Sequence, residues 1–359
     1  MLEHARKCSI YFSKGFFLIF FSYSYHSNSQ SLTLFDPINV IGLTLSGDLN
    51  SVFKDRKDSP DYHPVTLSYQ DRDEWINIPI KIKTRGHFRK SSSNCKYPPL
   101  LFNFPKKSLS ENSIFSGQDK LKLVTPCQGD QYILHEYLVY QLYNLFTERS
   151  FKTQLVRVTY LDSLKKKKPM IYYGMLIEDE DQMAMRNASV MTKKIGWRPA
   201  EIQREDFLQM AVFEYMIGNT DWSVQYQQNT KLIMKDNSAA PIAVPYDFDH
   251  AGIVRAPYAK PALELQLSST LNRRYRGFCI KDMEELKGTF DQFNRLKESI
   301  YGLYINNSLL NEGYRNQTIK FLDQFYETIN DPEKAKNAFT YPCDSSGTGN
   351  VVIKGLKKQ

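Results

Sequence analysis

Apolar and polar residues alternate along most of the first half of the chain, which is the pattern of half-buried β-strands. The clearest case is Trp75–Thr84, where isoleucine occupies every second position from Ile76 to Ile82. One face of this strand is therefore predicted to be buried. Similar segments predict strands at Val40–Leu45, Tyr62–Tyr69, Leu100–Phe104, Asp119–Thr125, Leu155–Leu161 and Ile171–Ile177.

Helical spacing dominates the second half. Gln131–Phe146, set among the strands, repeats leucine at intervals of three or four residues, and Arg204–Ile217 is a strongly apolar helical segment. Amphipathic helices are predicted at Ile280–Phe293, Leu296–Leu309 and Gln317–Ile329. An order of strands, one internal helix and then mostly helices predicts an α+β fold.

This order divides the chain into two lobes. A β-rich N-lobe is predicted over residues 30–180 and an α-rich C-lobe over residues 181–345. The chain after Tyr341 is rich in glycine and serine, and the tail 346–359 is expected to fray.

Residues 1–29 differ in character from the rest. Basic residues precede a short apolar run, Gly15–Phe21, and small polar residues follow it. This pattern predicts a secretory signal peptide that is cleaved before Gln30. The run is too short to span a membrane, and the alternative is an uncleaved anchor at the membrane surface. We therefore expect an exported protein (periplasmic, cell-surface or secreted) that meets a membrane only through this segment, if it stays uncleaved.

Composition supports an ordinary globular protein. The 359 residues are 42% hydrophobic and 13% aromatic, which argues against disorder. The formal net charge is +8, but the basic residues are scattered. Their one tight run, Lys165–Lys168, lies between two predicted strands and is interpreted as a solvated hairpin loop, so no nucleic-acid partner is expected.

Four cysteines remain beyond the predicted signal peptide: Cys95, Cys127, Cys279 and Cys343. An exported chain can form two disulfides from them, with three possible connectivities. Proximity along the chain favours Cys95–Cys127 and Cys279–Cys343. The cysteines lack the CxxC spacing that is typical of zinc sites, so the sequence does not predict one.

The segment Phe207–Asp249 carries the candidate chemistry. Asp221 follows the apolar helix, Asn229 begins a predicted strand, and Asp247 and Asp249 follow a second one. Phosphoryl transfer needs a carboxylate near the acceptor hydroxyl, and a carboxylate with an amide oxygen to hold Mg²⁺ against the phosphates. Asp221, Asn229 and Asp247 supply that set in the chain order that kinases use. The structural alternative is that these residues only end the helix and form turns.

A second pair of residues suits phosphate binding. Lys122 lies on a predicted strand, and Glu136 lies on the helix that follows. Kinases anchor nucleotide phosphates with a strand lysine held by a helix glutamate. Because lysine and glutamate are common, an unrelated surface lysine and helical glutamate remain the alternative.

The order of these parts resembles the spore-coat CotH kinase family. The segments that carry the resemblance are KTRGHFRK, KLKLV, YILHEYLVYQLYN, YYGMLIEDED, YMIGNTDWSVQYQQNTKLI and VPYDFD, within residues 80–250. The resemblance implies a two-lobed atypical protein-kinase-like fold. It also implies an ATP-dependent phosphotransferase that uses Mg²⁺ or Mn²⁺ and acts on a protein or glycan hydroxyl outside the cytoplasm.

The resemblance also assigns roles. Asp221 would be the catalytic carboxylate, and Asp247, Asn229 and Asp249 would form the metal side. Lys122 and Glu136 would anchor the phosphates, and Glu178 would lie near the adenine. The chain has no GxGxxG loop, so Arg85 and Arg89 would cover the phosphates with their guanidinium groups.

Two other classes of function remain open. One is an inactive fold of the same kind that binds a nucleotide, glycan or partner protein. The eight-residue separation of Asn229 from Asp221 favours it, because the usual catalytic loop has five. The other is a hydrolase that uses Asp221 and Asp247 as paired carboxylates.

Overall fold

A computed structural model describes residues 34–35, 39–105, 109–110, 112–164, 168–236, 239–261, 265–278 and 280–340. They belong to one compact unit, Thr33–Gln359. The predicted signal peptide and its cleavage site, most of Lys165–Lys168, the tail 346–359 and the predicted Cys279–Cys343 disulfide lie outside the described residues.

The first seven strands form a closed barrel. They are β1 (Ile41–Gly47), β2 (His63–Asp71), β3 (Glu74–Thr84), β4 (Leu100–Asn103), β5 (Lys120–Val124), β6 (Thr153–Asp162) and β7 (Met170–Ile177). Their order around the barrel is β1-β2-β3-β4-β5-β7-β6. All neighbours are antiparallel except β1 and β6, whose parallel pairing from Ile41↔Val156 to Gly47↔Asp162 closes the barrel.

The closed barrel makes the predicted fold class wrong. We expected an α+β, two-lobed, kinase-like fold with a β-rich N-lobe and an α-rich C-lobe. The described residues instead form a mixed seven-stranded barrel with seven helices. Residue alternation shows which face of a strand is buried, but it does not show which edges pair. The residue pattern therefore does not predict that β1 pairs with β6.

The helices and a smaller sheet complete the fold. The helices are α1 (Leu49–Lys54), α2 (Gln131–Asn144), α3 (Glu180–Arg186), α4 (Arg204–Ile217), α5 (Glu284–Ile305), α6 (Glu312–Ile329) and α7 (Pro332–Phe339). Strands β8 (Val190–Met191), β9 (Thr230–Met234) and β10 (Ile242–Pro245) form an antiparallel sheet in the order β10-β9-β8.

Individual elements follow the sequence pattern closely. All the predicted strands are confirmed within a few residues, and α4 has the predicted bounds. The separate helices predicted at 280–293 and 296–309 are wrong, because α5 runs through both. Its buried stripe continues from Phe293 to Ile300 and Tyr304, and neither glycine nor proline interrupts the gap between the two predictions. The helices α1 and α7 were not predicted.

Two apolar cores lie on either side of the barrel wall. One fills the barrel interior, and the other packs α2, α4, α5, α6 and α7 together with the second sheet. Val124 of β5 and Ile177 of β7 belong to the helical core, so the ends of these strands face it. No helix among the described residues combines the length and apolar character needed to cross a bilayer.

Candidate active site

A single cavity of about 610 Å³ collects most of the predicted site residues. Those that line it are Arg85, Arg89, Lys122, Asp221, Asn229, Asp247 and Asp249. Glu136 and Glu178 do not line it. Glu136 is connected to the cavity by Arg89, whose guanidinium Nη2 donates to the Glu136 carboxylate at 2.8 Å.

Asp221 enters the cavity from a tight loop at the end of α4. The helix ends at Gly218, which takes a left-handed conformation (φ 71°) that suits glycine. Asn219 Oδ1 then accepts a hydrogen bond from the Asp221 backbone N–H at 3.0 Å. The Asp221 carboxylate accepts hydrogen bonds from Gln228 Nε2 at 2.5 Å and Asn229 Nδ2 at 3.1 Å. The expected Asx-turn is thus present, and it holds a carboxylate that faces the cavity.

Burial is the main influence on the charge of Asp221. It raises the pKa of the Asp221 carboxyl above its usual value, and the nearby Asp249 carboxylate adds to the rise. His250 and Arg276 oppose it. A carboxyl with a raised pKa in a cleft is a common feature of acid–base groups.

Asn229 and Asp247 are brought together by the β9–β10 pair. The Tyr246 backbone N–H donates to Asn229 O at 3.1 Å, which extends the ladder one step beyond the strands. Both residues have positive φ angles, 48° and 61°, a conformation that costs about 1–3 kcal/mol in a residue other than glycine. Tyr140 of α2 accepts a hydrogen bond from the Asp247 backbone N–H at 2.8 Å and helps to hold that conformation.

The side chains of this pair present oxygen atoms. Asn229 Nδ2 donates to the Asp221 carbonyl oxygen at 2.7 Å, so the amide oxygen of Asn229 is the atom left to bind a ligand. The Asp247 side chain opens onto the cavity, with 49% of its surface accessible. The surrounding protein still removes it from bulk solvent, and this desolvation and the Asp249 carboxylate raise its pKa, while Arg89 opposes the rise.

Arg89 is a buried ion-pair centre rather than a free cavity cation. Its Nε and Nη2 both lie 2.7 Å from Asp249 Oδ2, and Nη2 also binds Glu136. Burial alone would lower the pKa of Arg89, but the Asp249 and Glu136 carboxylates keep it well above the usual value. Arg89 and Asp249 therefore contact each other, whereas phosphate cover and metal ligation had been predicted for them.

Lys122 is paired differently from the prediction. Its Nζ lies 3.1 Å from Glu180 Oε2, and Lys231 Nζ lies 3.1 Å from the same oxygen. The predicted Lys122–Glu136 pair does not form, because Arg89 reaches Glu136 from the loop after β3. Burial lowers the pKa of Lys122, and the nearby Arg85 lowers it further. The two lysines and Arg85 make this part of the site cationic.

Glu178 has a structural set of contacts. Its carboxylate accepts hydrogen bonds from Arg186 Nε at 3.0 Å, Arg186 Nη2 at 2.9 Å and the Lys152 backbone N–H at 2.9 Å. The side chain therefore joins α3 to the segment that leads into β6. Ile177, its neighbour in β7, is the residue that reaches the cavity.

The predicted Cys95–Cys127 disulfide is confirmed. It ties the loop that carries Arg85 and Arg89 to the segment just before α2. Because α2 carries Glu136, the disulfide braces both sides of the Arg89 ion pair.

The cavity also has apolar lining residues. They are Pro99, Val124, Phe151, Ile177 and Tyr246. The cavity thus combines apolar and charged side chains, which suits a ligand with an aromatic base and an anionic group.

The sequence analysis did not predict several residues of the site. Gln228 holds the Asp221 carboxylate, Tyr140 holds the Asp247 backbone, and His250 lines the cavity near Asp221. Arg276 donates to the backbone around Asp221 from a segment with no regular structure. These partners are distant in the chain or belong to irregular segments, so only the fold brings them to the site.

The oxygen atoms fit a divalent cation shared with a phosphate ligand. No group of three His, Cys, Asp or Glu side chains that could hold a metal occurs among the described residues. Mg²⁺ usually takes one or two carboxylates and completes its shell with substrate phosphates and water. Asp247 with the amide oxygen of Asn229 supplies that partial set.

Neither a scan against protein-family models nor a search of curated proteins finds a match to this chain. The resemblance to the CotH kinase family therefore rests on the sequence segments that suggested it.

Proposed function

We propose that this chain is an ATP-dependent phosphotransferase that acts on a protein or glycan hydroxyl. The observation that carries the proposal is one cavity that joins Asp221, the Asn229–Asp247 oxygen pair and the Lys122 cation. Phosphoryl transfer is catalysed by positioning and charge stabilisation, and these are the groups it needs. The resemblance to the CotH kinase family and the expected export belong to the same proposal.

Each part of the cavity has a role in this proposal. Asp221 orients the acceptor hydroxyl and accepts its proton. Asp247 and Asn229 would hold Mg²⁺ or Mn²⁺, which would offset phosphate charge when bound. Lys122 and Arg85 bind phosphate oxygens, and the apolar lining residues contact the base. Arg89 positions Asp249 and the loop rather than touching the nucleotide.

A second candidate is a nucleotide-binding module without turnover. The engagement of Arg89 with two carboxylates favours it, because this guanidinium is then not available to cover the phosphates. The two candidates agree on nucleotide binding and differ in transfer. Binding and transfer must therefore be measured separately.

A thermal-shift titration with ATP and Mg²⁺ or Mn²⁺ tests the binding half. A ligand that binds only the folded state raises the melting temperature by mass action. We expect Asp247→Asn to keep the fold, since asparagine tolerates the positive φ at this position, and to lose the metal-dependent part of the shift.

The matched control is Asp73→Asn, an exposed aspartate in the turn between β2 and β3. It should leave both parts of the shift unchanged. A metal-dependent shift that survives Asp247→Asn would remove Asp247 from the site. The absence of any ATP shift in the wild-type protein would contradict the proposal.

A further inference from the structure

Arg276 donates hydrogen bonds to the backbone on both sides of Asp221. Its Nη1 donates to Trp222 O at 2.7 Å and also to Thr220 O. These carbonyl groups belong to the residues immediately before and after Asp221. Arg276 is only 4% exposed, so both contacts are shielded from water.

Asn219 and Trp222, on either side of Asp221 in this loop, also make contacts that hold it to buried parts of the protein. The Asn219 backbone N–H donates to Glu214 O at 2.8 Å, which ties the loop to the last turn of α4. The buried Trp222 ring lies 5.4 Å from the Arg276 guanidinium carbon and packs edge-on against Phe207. Asp221 is therefore the residue of this loop that points away from the anchored side and into the cavity.

An arginine is costly to bury unless its charge is compensated. Burial lowers the pKa of Arg276 to about 10, and the Asp221 carboxylate offsets part of that effect. Both contacts use the two N–H groups of Nη1, and the planar guanidinium fixes the directions of these groups. A lysine ammonium also has enough N–H donors for two acceptors, but it sits on a flexible stem and its donors rotate. The buried arginine therefore gives a rigid contact to both carbonyl groups.

We propose that Arg276 is a positioning residue that fixes the direction of the Asp221 carboxylate by holding the carbonyl groups of Thr220 and Trp222. It acts through the loop and does not touch the substrate. The inference rests on the proposed function for its kinetic consequence, whereas the contact it describes can be tested without any turnover.

Arg273 provides a matched control from the same segment. It is also largely buried, donates to Met216 O at 3.1 Å and to Phe321 O, and packs on the Phe321 ring with a separation of 3.6 Å. Its contacts join α4 to α6 and do not reach the Asp221 loop. A loss that is merely structural should therefore be similar in Arg273→Ala and Arg276→Ala.

The first measurement is hydrogen–deuterium exchange of the full chain, followed in the peptides that cover residues 218–224. Arg276→Ala should accelerate exchange in these peptides by at least about tenfold, whereas Arg273→Ala should leave them close to wild type. Equal acceleration by both variants, or by neither, would overturn the proposal even if the wild-type protein transfers no phosphate.

The second measurement is steady-state phosphate transfer from ATP. A misdirected catalytic group commonly loses about 10²-fold in rate. Arg276→Ala should lower kcat by about that factor with the ATP KM within about twofold of wild type. Added guanidinium chloride at low millimolar concentration should restore part of kcat in Arg276→Ala and none in Asp221→Asn. A parallel rise in KM without a fall in kcat would overturn the positioning role.

Arg276→Lys covers the case in which Arg276→Ala does not fold. Lysine keeps the charge but lacks the fixed plane of the guanidinium, so we expect a folded protein with reduced kcat and intermediate exchange in residues 218–224. Wild-type kcat and wild-type exchange in this variant would reject the rigid guanidinium geometry as the reason for arginine. Wild-type protein that binds ATP without transfer would reject the proposed function, and the exchange result would still decide the role of Arg276.

Discussion

Arg89 and Glu136 form a buried ion pair, with Nη2 and Oε2 separated by 2.8 Å. The pair joins the loop after β3 to α2, and Asp249 completes it from the segment after β10. Burial raises the pKa of Glu136, although Arg89 opposes that rise and favours the charged form. Arg89 is thus the partner of Glu136 that the sequence analysis predicted Lys122 to be. Lys122 lines the cavity and pairs with Glu180 instead.

Removal of Arg89 should destabilise the fold strongly. Arg89→Met leaves Glu136 and Asp249 buried without their partner, and breaking a buried pair in this way costs about 3–5 kcal/mol. The measurement is urea unfolding of both proteins, with the midpoint and slope compared. The control is Arg85→Met on the same loop, which is partly exposed and should change the free energy of unfolding by about 0.5 kcal/mol or less. Similar losses in the two variants would show that Arg89 is not an ion-pair centre.

Local patterning was enough to locate most elements. Alternation identified β3, and the unbroken apolar spacing of α4 fixed both of its ends, because burial on one side imposes these periods. Barrel closure was not predictable in this way. The β1–β6 contact depends on two edges that are more than a hundred residues apart, and either edge would show the same alternation if it were unpaired.

The candidate site was predictable in part for a related reason. Asp221 and Asp247 follow strongly apolar elements, and Asn229 directly precedes one. The ends of buried elements lie close to the protein surface, so polar residues at these ends are candidates for a shared cleft. The partner of Glu136 was not predictable, since Lys122 and Arg89 are both basic residues upstream of α2. Only the loop conformation, braced by Cys95–Cys127, decides between them.

Loss of the Cys95–Cys127 disulfide should weaken both the fold and the site. The Cys95→Ser, Cys127→Ser double variant should lose about 2–4 kcal/mol, as is typical when a disulfide that closes a loop of this size is removed. ATP affinity should fall with it, because the loop carries Arg85, the arginine proposed to bind phosphate oxygens. Unfolding of wild type with and without reductant is the control. Reduced wild type should match the double variant, and an unchanged stability in both would contradict the bracing role.

Glu214 should make stability depend on pH. Burial raises the pKa of Glu214 to about 8. Between the ordinary glutamate pKa of about 4.3 and that value, the folded protein holds a proton that the unfolded chain has released. The free energy of unfolding contributed by this group therefore falls as pH rises through this window, by up to about 1.4 kcal/mol per pH unit.

Glu214→Gln isolates this effect. Urea unfolding of variant and wild type from pH 5 to pH 8 should show the variant gaining relative stability as pH rises. His135, whose pKa is lowered to about 4 by burial, has the opposite slope below pH 6.5 but is the same in both proteins. Parallel stability curves for the two proteins would contradict a protonated Glu214.

The central claim is that Asp221 is the catalytic carboxylate of a phosphotransferase, and phosphate transfer from labelled ATP by wild type and Asp221→Asn tests it most directly. Autophosphorylation is the first readout, and ATP binding is measured beside it. Acid–base positioning of this kind is worth about 10²–10⁴-fold in rate. We predict that Asp221→Asn loses transfer by such a factor while its ATP affinity stays close to wild type. Equal transfer by the two proteins, or ATP binding by wild type without transfer under any metal and acceptor supplied, would contradict the claim.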